Sequence, residues 1–153
     1  MTGVQTCALP ISLTSTIVFE PKTADVEKVK LAAERFVDQI STTFNNDVLL
    51  QYSIFKPSVH TGLIASGDKF ISDPKNHEDL SFKRNDEKTL VVEMEGAAVA
   101  QVCEDYRIPY IVVRTISDKA DHSAVIDFQS FISNVASQYS SGIVKEYINS
   151  NRM

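Results

Sequence analysis

Between residues 89 and 116 the chain runs from an apolar strand, TLVVEM, into GAAVAQVC, a helix of small residues, and on into PYIVVRTI, a second apolar run. That succession constrains the fold more than any other feature of the sequence. A run continuous in β-branched residues, with no polar alternation, suits a strand covered on both faces. Small residues let a helix lie close on the sheet that such strands build. Strand, helix, strand in this order predicts an α/β architecture with a parallel or mixed sheet.

The flanking segments extend the same pattern. Val26, Val29, Ala33, Phe36, Val37, Ile40 and Phe44 recur at three- and four-residue steps, with Lys28, Lys30, Glu34 and Asp38 between them. This predicts an amphipathic helix, opened by Pro21 and a cap at Thr23 or Asp25. Residues 59–66, VHTGLIAS, read as a buried strand ended by Gly67-Asp68. Residues 72–88 mix both signs of charge and read as a surface connection with one short helix. A last helix starts near Asp127 and aligns Phe128, Phe131, Ile132, Val135, Tyr139, Ile143 and Tyr147. The opening MTGVQTCALPIS shows neither period, and residues 1–11 read, residue for residue, as the translation of a common sequencing-library adapter with GTG as start codon. That stretch is set aside, as a cloning scar would be.

Charge narrows the partners. A formal net charge of −5 without any clustered Lys/Arg run excludes the electrostatic footprint of a nucleic-acid or anionic-membrane binder. No apolar run approaches the length of a bilayer span, and no signal-peptide pattern is present, so a cytoplasmic protein is expected. Cys7 and Cys103 indicate no disulfide framework, and His60, His77 and His122 lack metal-ligand spacing, so no metal is expected.

In open α/β sheets, ligands gather beyond the carboxyl ends of the strands. Three strands here end in polar words: Ser66-Gly67-Asp68, Glu93-Met94-Glu95 and Ser117-Asp118. If the strands are parallel, these groups share one edge, where carboxylates suit acid/base work or the binding of hydroxyl groups. Position alone does not separate that role from simple helix capping.

The wording does. VVEMEGAAVAQVC followed by IPYIVVRTISDKAD, with GLIASGDKF upstream, resembles the signature of the nucleoside phosphorylase/nucleosidase superfamily, and ISDKAD points to its methylthioadenosine/S-adenosylhomocysteine nucleosidases. The resemblance implies an α/β, three-layer phosphorylase/nucleosidase-like fold with a mostly parallel or mixed sheet, truncated at the N-terminus. Residues 1–12 are then an adapter-derived or disordered tail, and residues 13–153 a partial nucleosidase domain.

By motif, the resemblance implies that Asp118 is the general acid that protonates N7 of the purine, so that adenine departs neutral, and that Ser117 orients it. Glu95 matches the carboxylate that holds the ribose hydroxyls, where an anion favours the oxocarbenium-like transition state over the ground state. Met94 matches a residue lining the sugar, a position where a core methionine is the competing reading. Phe70 and Ile71 match the adenine shelf, and Phe128 borders the 5′-substituent or belongs to the core. The family's water-activating glutamate and its Gly-rich N-terminal segments have no match here. The implied activity is hydrolysis of the N-glycosidic bond of a small-molecule nucleoside, without a cofactor, by a homodimer when full length. A purine-nucleoside phosphorylase and an inactive adenine-binding fragment are the alternatives.

Overall fold

Helix α1, Thr23–Asp38, opens just after Pro21, and the Val26 amide donates to the Lys22 carbonyl at 3.1 Å. The computed structural model describes residues 3–7, 9–11, 17–67, 83–84, 87–116 and 128–152. Strands β1 (Gly3–Cys7), β2 (Leu9–Ile11) and β3 (Ile17–Phe19) precede α1. Short helices α2 (Ile40–Thr43) and α3 (Asn46–Gln51) follow it, the second capped by Asn45, whose side chain accepts from the Val48 amide at 2.9 Å. Then come β4 (Ser58–Thr61), β5 (Leu63–Ser66), β6 (Lys83–Arg84), β7 (Glu87–Glu93), α4 (Gly96–Asp105) and β8 (Val112–Thr115). The chain closes with α5 (Phe128–Phe131), a π-helical turn (Ile132–Ala136) and α6 (Ser137–Ser150).

The contacts divide the chain into two units. One comprises Thr6–Val26 and Thr61–Val113. It holds a five-stranded sheet in the order β3-β2-β5-β7-β6. Pairing is parallel between β2 and β5 and between β5 and β7, and antiparallel at both edges, so the sheet is mixed. Helix α4 packs on β2 and β3 through its small residues: Gly96, Ala97 and Ala100 are buried, while Val99 and Val102 stay exposed. Phe19, Leu63, Ile64, Ala97, Ala100 and Val112 make the core, with Val91 and Tyr110 packed against it. Burial of the Phe, Leu, Ile and Val side chains among these contributes about 1.5–3 kcal/mol each.

The other unit, Met1–Gln5, Glu27–His60 and Arg114–Met153, is built on helices. Its interior is aromatic. Tyr139, fully buried, meets Phe36 edge-on at 5.2 Å between ring centroids and Phe44 at 5.7 Å, and Tyr52 stands edge-on to Phe131 at 5.7 Å. Gly142 of α6 lies against the Phe36 ring so closely that a Cβ there would come within 2.1 Å of it. The absence of a side chain at position 142 sets how near α1 and α6 approach.

Several expectations are corrected. Residues 59–66 are two strands: β4 belongs to a sheet ordered β4-β1-β8 and β5 to the five-stranded one, with Gly62 between them and a register shift at Leu63/Ile64. β8 also lies in the three-stranded sheet, since an apolar run shows that a strand is buried and not which neighbour it bonds. β6 falls where a surface connection with one short helix is expected. It pairs antiparallel with β7 at the edge of the five-stranded sheet, a backbone pairing that hydropathy does not reveal. The opening segment, read as having no period, contributes β1 and β2. Ladder hydrogen bonds come from the backbone and place little demand on side-chain pattern.

Candidate active site

The parallel pairing of β5 with β7 sets Ser66 directly opposite Glu93, and the Gly67 amide donates to the Glu93 carbonyl at 3.0 Å. Both strands therefore end on one rim, as expected for the first two of the three polar strand ends. Helix α4 starts there, and its first amides need acceptors that the helix itself cannot supply. The half-buried Glu93 side chain supplies them: its two carboxylate oxygens accept from the Gly96 amide at 2.9 and 2.8 Å, and one accepts from the Glu95 amide at 3.1 Å. Ser66 donates its hydroxyl to the same carboxylate and accepts from the Ala97 amide at 3.0 Å. An anion at a helix N-terminus also meets the positive end of the helix dipole.

This arrangement decides what the next two residues do. Glu95, the residue before α4, has φ −121° and ψ −30° and makes no side-chain cap bond, because Glu93 performs that task. Glu95 is exposed, and Met94 is 45% exposed, which removes the reading of Met94 as a core methionine. The structure thus brings Met94 and Glu95 together as a surface turn at the carboxyl end of β7. Glu93 and Ser66 are the structurally central residues that the motif reading did not assign. Their signal was a carboxylate three residues ahead of Gly96 at a strand-to-helix junction, where a donor-rich helix start needs an acceptor.

Phe70, Ile71, Ser117 and Asp118 lie outside the described residues, as does the side chain of Phe128. Elsewhere in the same unit the Tyr110 hydroxyl donates to Glu104 at 3.3 Å. Burial, and after it the negative Glu104, push the phenol up to about 12. An open groove of about 230 Å³ lies in the other unit between Phe36, Gln39 and Thr43 on one side and Gln138, Ser141, Gly142, Lys145 and Glu146 on the other. It contains none of the motif residues and reads as the gap left by a helix crossing. Among the described residues no cluster of His, Cys, Asp and Glu is placed to hold a metal ion, and no helix is long and apolar enough to cross a membrane.

A mixed sheet whose parallel strands β5 and β7 end side by side in Ser66 and Glu93, with Met94 and Glu95 following directly, defines an α/β protein with a carboxylate-bearing rim at the edge where open α/β sheets gather ligands. Over residues 14–149 the chain matches the profile of the phosphorylase superfamily, and it belongs to that family. Among curated relatives, it is 44% identical over 78 residues to a 5′-methylthioadenosine/S-adenosylhomocysteine nucleosidase of Bacillus velezensis, covering 51% of this chain and 33% of that protein. The corresponding Bacillus cereus protein is 42% identical over 84 residues, covering 55% of this chain and 36% of that protein. The matched region thus spans about a third of the curated relatives. Among solved structures, the Neisseria meningitidis nucleosidase in complex with methylthio-immucillin-A superposes with a TM-score of 0.64 at 25% identity, covering 97% of this chain and 61% of that one. The Streptococcus pneumoniae nucleosidase in complex with 8-aminoadenine gives 0.65 at 22% identity, covering 95% and 60%, and shows the shared fold.

Proposed function

We propose that this chain carries the base- and sugar-binding part of a purine-nucleoside N-glycosidase, one that hydrolyses methylthioadenosine or S-adenosylhomocysteine and releases adenine. The observation that carries the reading is the exposed Met94–Glu95 turn, tied down by Glu93 at the carboxyl end of β7 in a chain of the phosphorylase superfamily. In this reading the domain is a three-layer nucleosidase fold formed by residues 13–153, and residues 1–12, which carry β1 and β2, are an adapter-derived segment joined to it.

The chemistry divides among named groups. Asp118, oriented by Ser117, gives a proton to N7 as the bond between N9 and C1′ breaks, so the bonding pair leaves with a neutral purine. Phe70 stacks on the base, and the main chain at Ile71 pairs with its edge. Glu95 holds the ribose hydroxyls, and its negative charge stabilises the cationic sugar, while Met94 lines the ring. Water then adds to C1′ and loses a proton to a base, a role for which no motif of this sequence offers a match. No cofactor is required by these steps. The whole protein is proposed to act in the cytoplasm as a homodimer.

The test is release of free adenine from methylthioadenosine by the chain joined to the N-terminal portion of a relative, with and without inorganic phosphate. Phosphate-independent release supports the hydrolase, and strict dependence on phosphate would instead assign a phosphorylase.

A further inference from the structure

We propose that Glu93 is the positioning residue of the sugar-binding turn: by accepting the amides of Glu95 and Gly96 it closes the turn around Met94 and Glu95 and fixes how they meet a ribose. The inference deepens the nucleosidase reading and rests on it. Glu93 is the last residue of β7, and Gly96 is the first of α4, so residues 94 and 95 are the whole link between strand and helix. One end of that link carries the Glu93 side chain, and the other end is bonded to it at 2.8–3.1 Å. The link is a closed ring.

The second strand locks the ring from outside. Ser66, opposite Glu93 in the parallel ladder, donates to its carboxylate and receives the Ala97 amide at 3.0 Å, so strand β5, strand β7 and helix α4 share one hydrogen-bonded node. Gly96 leaves room for the node, since a Cβ there would stand 2.9 Å from a Glu93 carboxylate oxygen and the carboxylate would have to shift. A carboxylate is required rather than any polar group of that shape. The Gly96 amide donates to both oxygens, so an amide side chain in either orientation would set an NH₂ group against that backbone N–H.

The test compares a ligand that has a sugar-like ring with one that lacks it. Methylthio-immucillin-A and adenine are titrated calorimetrically into the 153-residue chain, into Glu93→Gln and into Ser66→Ala, with each variant's fold checked by circular dichroism. Glu93→Gln is expected to weaken methylthio-immucillin-A by at least about tenfold, the scale of one lost buried hydrogen bond, while adenine changes by less than about twofold. Ser66→Ala should shift the sugar-bearing ligand in the same direction by a smaller factor, and it carries the test if Glu93→Gln does not fold. An equal loss for both ligands, or no loss for either, would show a merely structural node and overturn the inference alone. A wild-type chain that binds neither ligand would overturn the nucleosidase reading and this inference with it.

Discussion

Replacing Gly142 by alanine should destabilise the protein, although alanine is the better helix former. Within α6 the substitution gains about 1 kcal/mol of helix propensity. Against that, the new Cβ would stand 2.1, 2.4 and 2.9 Å from three atoms of the Phe36 ring, where carbon atoms pack at roughly 3.5–4.0 Å. The ring is 5% exposed and meets the fully buried Tyr139 edge-on, so it cannot swing aside without displacing a second aromatic group. Overpacking of this kind costs about 1–3 kcal/mol, and a shortfall above 1 Å at a rigid ring, by that scale, belongs near its upper end. The net loss is about 1–2 kcal/mol, which for a chain of this length lowers Tm by roughly 2–8 °C. Thermal unfolding followed by circular dichroism, with urea midpoints at constant m, reads it directly. In a Phe36→Leu background the clash is relieved, and Gly142→Ala should become neutral or stabilising. A Gly142→Ala protein as stable as the parent, or more so, would refute the packing argument.

Gly96→Ala should lower stability by no more than about 1 kcal/mol in urea denaturation, because the Cβ shifts the end of the Glu93 side chain off the amides it accepts while alanine gains helix propensity. Tyr110 should remain a neutral phenol at pH 10–11, where an ordinary tyrosine ionises, as read by absorbance near 295 nm. The folded state then holds the proton that the unfolded chain releases, so stability falls as pH rises from the ordinary value of 10.0 towards about 12. Glu104→Gln should lower that titration point without restoring it fully, since burial is the larger cause. In a protein joined to a relative's N-terminal portion, Asp118→Asn should slow adenine release on the order of 100- to 10,000-fold while leaving inhibitor binding partly intact. Near-normal turnover would remove Asp118 from the acid's role.

The helical periods were the most legible part of the fold. Val29, Ala33 and Phe36 recur on the α1 stripe and are buried there, and Phe131, Val135, Tyr139 and Ile143 fill the same unit from the final helices. The junction from β7 to α4 was equally plain, because a strand ending in Glu-Met-Glu before a small-residue helix leaves little choice of turn. Strand pairing was not legible. Nothing in VHTGLIAS says that its two halves join different sheets, nor does the β-branched run at residues 112–115 name its neighbour, because ladder bonds come from the backbone. In the candidate site, motif wording singled out Met94 and Glu95. The node beneath them became visible only when β5 was set in register with β7, since Ser66 and Glu93 lie far apart in sequence.

If this chain supplies the acid and the sugar-holding carboxylate of a purine nucleosidase, joining it to the part of a relative that it does not match should produce adenine release. The 153-residue chain, alone and joined to the part of the Neisseria meningitidis nucleosidase without a counterpart here, is incubated with methylthioadenosine in phosphate-free buffer while free adenine is followed by chromatography. Steady adenine release is expected from the joined protein and none from the chain alone, since the proposed chemistry draws its water-activating base from the added part. A folded joined protein that releases no adenine, or a lone chain that turns over like its full-length relatives, would contradict it.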